Sequence, residues 1–136
     1  MRVVLDTNVL ISATFWNGDS NRILEKVEQK KVELIISKET LEEFAGVLGY
    51  KKIQEKIKDK NLEMKRTVEK IVSISTIVEP HQTFKAIKDD PDDDKFLDCA
   101  VEGNAKFIIS QNKHLLKLKE FNGIKIISPS EFLKLI

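Results

Sequence analysis

The stretch RVVLDTNVLIS, residues 2–12, decides how the rest of the chain is read. Val3, Val4 and Leu5 form a short continuous apolar run, the pattern of a central parallel strand covered on both faces. Asp6-Thr7-Asn8 follows directly, and then an apolar, helix-like run that Asn8 is placed to cap. A strand that needs to be dry thus delivers a carboxylate to its own end. In open sheets of parallel strands, ligands sit outside the carboxyl ends of the strands, so Asp6 falls where that rule puts chemistry.

Outward from this stretch, strands and helices alternate. Residues 21–30 read as a helix with Ile23, Leu24 and Val27 on one face, and 32–36 as a second strand. Ser37 caps a helix whose Leu41, Phe44, Ala45 and Leu48 recur at i, i+3, i+4 and i+7. Residues 50–72 continue as helices broken near Asp59–Asn61, with Ile53, Ile57, Leu62, Val68 and Ile71 or Val72 as core positions. A weak strand at 76–78 ends on Pro80, Asp90-Pro91 starts a helix through Glu102, and 107–110 and 125–127 are strands. Ser128-Pro129 starts the last helix. Such alternation implies a three-layer α/β/α fold with a central, mainly parallel sheet. No linker, repeat or low-complexity segment divides the chain, so residues 1–136 are expected to be a single domain.

Composition narrows the class. A chain of 136 residues that is 41% hydrophobic and 33% charged, with five Gly and three Pro, suits a compact globular protein with short loops. At this size about two-thirds of the unfolded surface leaves water on folding, so no staple is needed. One Cys excludes an internal disulfide framework and a Cys-based zinc site, and fits a reducing, cytoplasmic setting. Asp6 interrupts the first apolar run and eighteen apolar residues never run together, so neither secretion nor a membrane span is expected. The net charge of +1 points to no class of partner.

The acids carry more information. KDDPDDDKFLD, residues 88–98, holds six Asp against two Lys. Asp90 suits an N-cap, Pro91 a first helical position, and acids in a first turn interact favourably with the helix dipole. Capping explains Asp94 and Asp98 less well. At about 100° per residue, Phe96, Leu97, Ala100 and Val101 span one apolar arc, with Asp94 at its edge and Asp98 one turn on. Like charges at i, i+4 repel, so a cation between them would make sense, and hard divalent cations take oxygen ligands. In ISKETLEEFAGVL, residues 36–48, Glu42 and Glu43 both flank the apolar arc, and Glu43 lies nearer the Val47 edge.

These stretches together resemble the PIN domain family, in particular the bacterial and archaeal PIN proteins of toxin–antitoxin pairs. The resemblance is carried by Asp-Thr-Asn-Val-Leu-Ile at 6–11, Glu43-Phe44, Asp-Pro-Asp-Asp-Asp-Lys-Phe-Leu at 90–97 and Ser-Gln-Asn-Lys at 110–113 before Leu115-Leu116. It runs nearly end to end, through Ile-Ser-Pro-Ser-Glu-Phe-Leu at 127–133. It implies a Mg²⁺- or Mn²⁺-dependent ribonuclease whose metal-binding acids are Asp6, Glu43 and Asp94. Thr7 and Asn8 would support the site. By position, Ser110 at a strand end beside Asn112 is either a further support that touches the metal's water shell or a Ser that satisfies loop backbone, and Lys113 is placed to meet RNA phosphate. The resemblance further implies RNA as substrate, a small antitoxin protein as partner, and a homodimer, with Ile53, Ile57 and Phe15 or Trp16 as interface positions. The family usually carries Asp where this chain has Asn112. An amide keeps an oxygen for metal or water but drops a charge, so one metal is expected to bind and a second to bind weakly, unless Asp98 compensates.

The same residues bear on other functional classes. A phosphatase with a strand-end Asp nucleophile wants a second Asp two residues on, where Asn8 stands. A receiver domain wants its Asp at the end of a middle strand, where Ser37 stands. The glycines of P-loop and dinucleotide sites are missing. A catalytically weak PIN-like module that binds RNA or protein is the alternative that Asn112 keeps open. Residues 51–70 hold eight Lys or Arg against four acids, an arm for RNA backbone or simply a solvated helical surface. His81 and His114 have no partner at metal-ligand or triad spacing, and Cys99 reads as a packing residue.

Overall fold

The computed structural model describes residues 1–49 and 64–136. In chain order these form β1 (Arg2–Leu5), α1 (Thr7–Phe15), α2 (Asp19–Glu28), β2 (Glu33–Ser37), α3 (Lys38–Leu48), α4 (Met64–Ile74) and β3 (Ser75–Val78). A 3-10 turn (Pro91–Asp93) then leads into α5 (Asp94–Glu102), β4 (Phe107–Ile109), α6 (Lys113–Leu118), β5 (Glu120–Phe121), β6 (Ile124–Ile127) and α7 (Pro129–Leu135). Among the described residues the strands make one sheet in the order β3-β2-β1-β4-β6-β5, parallel throughout except where β5 runs against β6.

The continuous apolar run at 3–5 is explained by its neighbours. β1 lies between β2 and β4, with Val3 opposite Phe107, Val4 opposite Ile108 and Leu5 opposite Ile109. Strand side chains alternate between faces, so each strand feeds two cores. Val3, Leu5, Leu34, Ile36 and Ile109 pack with Phe15, Ile23, Phe44 and Phe132 on one side. Val4, Ile35, Ile108 and Ile126 pack with Phe96, Leu97, Ala100 and Leu115 on the other. Helices therefore cover both faces, and the expected three-layer α/β/α arrangement with a mainly parallel sheet is the one observed. Each such side chain contributes about 1.5–3 kcal/mol relative to exposure.

Chain order reverses between β1 and β4: from β1 the chain steps out to β2 and β3 on one side, and β4 begins the other. The crevice at such a reversal is where an open α/β sheet leaves room for a ligand. Asp6 continues past the end of β1 and its amide donates to the Ile109 carbonyl at 3.1 Å, which sets Asp6 beside Ser110. At the far end of α5 the helix comes very close to the sheet: a Cβ on Gly103 would run into Ile35 Cγ2.

Local differences from the expected elements have local causes. Asp6, not Asn8, caps α1: it is extended and its Oδ1 accepts from the Val9 amide at 2.8 Å. Ser37 and Ser128 cap α3 and α7 as expected, each closing a reciprocal box with Thr40 and Glu131. The Asp90-Pro91 start opens as a 3-10 turn, so α-helical phase begins only at Asp94. α6 and β5 were not anticipated. The turn joining β5 to β6 is Asn122-Gly123, with φ of +50° and +80°, the pair that two-residue hairpins favour. Phe15 is 2% exposed and belongs to the core, so it is not an interface position, whereas Trp16 is exposed. Ile53, Ile57 and most of the basic 51–70 stretch lie outside the described residues.

Candidate active site

At the carboxyl ends of β1 and β4 opens a cleft of about 190 Å³. The β1–α1 junction gives it Asp6, Thr7 and Asn8, and α3 gives it Glu43. The 3-10 turn and the residue before it add Asp90, Asp92 and Asp93, and Asn112 adds the N-cap of α6. Each acid arrives for a local reason. Asp6 is a helix cap at a strand end, Glu43 stands beside Phe44 on a half-buried helix face, and Asp93 ends the turn that Pro91 starts.

Every oxygen named next has a protein donor. Besides the Val9 amide on Oδ1, Asp6 accepts at Oδ2 from the Ser110 hydroxyl, which is fully buried and in turn accepts from the Asn112 amide at 2.9 Å. The Thr7 hydroxyl donates to Glu43 Oε2, and Lys95 Nζ donates to Glu43 Oε1 at 3.1 Å. Lys95 also pairs with Asp92 at 3.1 Å and is only 20% exposed at its side chain. Asn112 accepts from the His114 amide through Oδ1 at 2.8 Å and donates through Nδ2 to Asp93 Oδ2 at 3.0 Å.

The charges strain against one another. Burial raises the Asp6 carboxyl above the usual range, the Ser110 and Val9 hydrogen bonds lower it, and the Glu43 charge raises it again. Burial also lifts Asp93, and the neighbouring Asp90, then Asp6 and Glu43, add to it, so that it is pushed up to about 7. Asp92 is held low by its hydrogen bond from Lys95. For Lys95 itself burial works against the charge, and hydrogen bonds to Glu43 and Asp92 outweigh it, raising its affinity for the proton. A cluster whose acids resist ionisation is one that a further cation would relieve.

Of the side chains expected in a site, the structure brings together Asp6, Thr7, Asn8, Glu43 and Asn112, with Ser110 directly behind Asp6. It does not bring Asp94 or Asp98 there. Asp94 Oδ1 accepts from the Ala86 and Ile87 amides, both at 3.0 Å, and Asp98 Oδ1 from the Phe84 amide at 2.8 Å. Glu102, one turn further on α5, accepts from the His81 amide at 2.9 Å. The spacing at i, i+4, i+8 that suggested a cation instead holds an extended stretch of backbone. Lys113 is exposed at the start of α6. Glu42 is exposed and sits 4.0 Å from Lys38, so Glu43 alone of that pair enters the cleft.

Asp90, Asp92 and Asp93 in the cleft, and Lys95 reaching Glu43 from beside it, are the residues that sequence reasoning did not assign to the site. A signal for Asp93 was present: it stands at i−3 from Phe96 and i−4 from Leu97, in line with the apolar stripe. An acid on that line has to be buried, as Asp93 is, with 8% exposure. The Lys95 link to Glu43 joins α5 to α3 and has no sequence signature.

Whether the residues fit a metal can be judged on their chemistry. Among the described residues no three Asp, Glu, His or Cys side chains are grouped closely enough to hold an ion as they stand. Their oxygens are taken by Ser110, Thr7, Lys95 and Asn112 instead. The donor set nonetheless suits a hard divalent cation, with carboxylate, hydroxyl and amide oxygens and neither sulfur nor imidazole lining the cleft.

A mainly parallel α/β/α sheet with a carboxylate cleft at its chain-order reversal defines a class of protein by fold and site together. Within that class the chain belongs to the PIN domain family, whose model matches residues 2–114. The family is in general one of nucleases. Two solved structures share the fold. VapBC2 from Rickettsia felis, solved bound to a DNA fragment from its promoter, is similar with a TM-score of 0.60 and 18% identity, over 93% of this chain and 97% of that one. PAE2754 from Pyrobaculum aerophilum is similar with a TM-score of 0.61 and 13% identity, over 99% of this chain and 89% of that one. No curated protein matches the chain. Among the described residues no helix is long and apolar enough to cross a membrane.

Proposed function

We propose that this chain is a Mg²⁺- or Mn²⁺-dependent endoribonuclease and the toxin of a toxin–antitoxin pair. The observation that carries the reading is the gathering of Asp6, Glu43 and Asp93 from β1, α3 and the 3-10 turn into one cleft at the end of the central strands. Asp6, Glu43 and Asp93 would hold the cation, with Asn112 beside them; Asp93 takes the place that the resemblance had given to Asp94. Such an ion, when bound, supplies a water of lowered pKa and offsets charge on the phosphodiester. The protein's own groups do the positioning. Ser110 and the Val9 amide fix the Asp6 carboxylate, Thr7 turns Glu43 inward, and Asn112 holds Asp93. Lys95 brings a positive charge to the cleft edge, where it can meet a phosphate once Glu43 is engaged elsewhere.

No side chain of this site serves as nucleophile. Cys99 is buried away from the cleft, and burial pushes its thiol up to about 12. Asn112 removes one negative charge relative to an acid there, which favours one tight metal over two. A protein partner is supported by the likeness to VapBC2, and a cytoplasmic setting by a lone, buried Cys.

The test is cleavage of a mixed, unstructured RNA by purified protein in Mg²⁺, Mn²⁺ or EDTA, with Asp6→Asn prepared identically. Cutting that needs the metal and falls about 100-fold or more in the variant is expected, since even residues behind a metal's ligands are worth about 10–100-fold. A folded, Mn²⁺-binding parent that cuts nothing under any of these conditions would instead favour a binding module.

A further inference from the structure

Beside the acid cleft, along the N-terminal half of α5, lies a larger hollow of about 450 Å³. Phe84, Ile87 and Pro91 give it an apolar floor, and Lys85, Lys88 and Lys95 line it as well. Sites for small ligands span about 300–1,000 Å³ and share this make-up, apolar lining with a few charged groups. The hollow and the cleft adjoin. Asp92 lines both, and Lys95 reaches across from the hollow to Glu43 at 3.1 Å.

The charges decide what this hollow suits. The acids that line it are already engaged: Asp98 by the Phe84 amide, Asp94 by the Ala86 and Ile87 amides, and Asp92 by Lys95. Lys85 and Lys88 are exposed, and no acid pairs with them among the described residues. Two exposed ammonium groups without an ion-pair partner among the described residues therefore stand beside apolar surface, next to the acid cleft. An unpaired nucleotide has the matching parts, a phosphate for the ammonium groups and a flat apolar face for the floor.

We propose that this hollow holds an unpaired nucleotide of the RNA strand beside the scissile phosphate, with Lys85 and Lys88 on backbone phosphate and Phe84, Ile87 and Pro91 under the base. The assignment rests on the nuclease reading of the neighbouring cleft. It makes the substrate single-stranded, because a base stacked in a helix presents no free face to the floor. It also makes recognition tolerant of sequence, because every base has such a face. Asp94 and Asp98 acquire a purpose within it, since they fix the backbone that carries Phe84, Lys85 and Ile87.

The test uses a fluorescein-labelled single-stranded 2′-O-methyl RNA heptamer of mixed sequence, titrated by anisotropy with the full chain in EDTA, where no metal-dependent cutting intervenes. Parent protein is compared with Lys85→Ala/Lys88→Ala and with Lys125→Ala/Lys134→Ala, which removes the same charge from exposed positions on β6 and α7. The expected result is a Kd about tenfold weaker for the hollow pair, a salt slope lower by about 1.4 for two lost phosphate contacts, and less than about twofold for the distant pair. Equal weakening by the two pairs overturns the proposal, as does a parent that does not bind the probe. Preference of Lys85 and Lys88 for an acidic peptide over the heptamer also overturns it and makes the hollow a protein-docking surface. The two readings fail separately. Binding through Lys85 and Lys88 without cleavage of any RNA leaves the hollow standing and sinks the nuclease; cleavage with unchanged KM in the hollow pair does the reverse.

Discussion

Asp93 and Asp94 are neighbours in sequence, nearly equal in burial at 8% and 7% exposure, and opposite in use. Asp93 turns into the cleft with Asp6, Glu43 and Asp90, and burial among like charges pushes it up to about 7. Asp94 turns the other way and, with Asp98 and Glu102, accepts backbone amides of His81, Phe84, Ala86 and Ile87. The first group lacks enough cationic partners, and the second is satisfied by dipoles. A carboxylate that accepts two amide hydrogen bonds has a structural reason to be buried. One that is buried against other carboxylates needs a reason from outside the chain, which the proposed metal ion would supply.

The comparison breaks most sharply on single substitutions. Asp93→Asn is expected to lose about 100-fold or more of RNA cleavage while holding or raising the melting temperature, because it removes repulsion together with a metal-binding oxygen. Asp94→Ala is expected to do the opposite. It leaves the Ala86 and Ile87 amides without their acceptor at a cost of about 1–3 kcal/mol, read from urea midpoints, and keeps cleavage within a few-fold at low temperature. A folded Asp94→Ala protein without activity, beside an active Asp93→Asn, would exchange the two roles.

Replacing Lys95 probes the cleft from its cationic side. Its ammonium stands where it competes with a divalent ion for Glu43, so Lys95→Met is expected to bind Mn²⁺ about tenfold more tightly by calorimetry, a gain of about 1.4 kcal/mol. The Mn²⁺-induced rise in melting temperature should grow accordingly. Unchanged affinity would mean that Lys95 and the metal do not share Glu43.

The smallest effect is a pH dependence that sharpens the same contrast. The folded Asp93 carboxyl is raised to about 7 from an ordinary 3.8, so the folded state holds its proton where the unfolded state has released it. Its stabilising contribution is therefore fully present below about pH 4 and is lost as pH rises through about 7. In chelator, the melting temperature of Asp93→Asn relative to the parent should climb by a few degrees between pH 5 and pH 8. A gap that stays flat across that range would remove Asp93 from the charge cluster.

Much of the fold was legible because its signals are local and strong. The run Val3-Val4-Leu5 is apolar at consecutive positions because both faces of β1 are covered, and Ser37 and Ser128 carry their capping partners within three residues. Asn122-Gly123 is a hairpin signal of the same local kind. The assignment of Asp94 rested instead on the resemblance and on its place at the edge of the apolar arc, and neither tells which side of α5 the 84–87 segment occupies. Asn8 was given the cap of α1 because it is a good cap by type. Asp6 holds it because α1 starts at Thr7, directly after the strand, so that the extended residue before the first helical turn is Asp6 and Asn8 already lies inside the helix.

The sequence by itself determined that this chain folds as an α/β/α protein and that Asp6 stands at the end of a dry strand, since hydrophobic period and capping chemistry act over a few residues. Only the tertiary structure decided which of six aspartates in residues 88–98 joins Asp6 and Glu43, and that Lys95 holds Glu43 from another helix. A carboxylate's environment is set by the elements that pack around it, and α3, α5 and the 84–87 segment meet only once the sheet has brought them together.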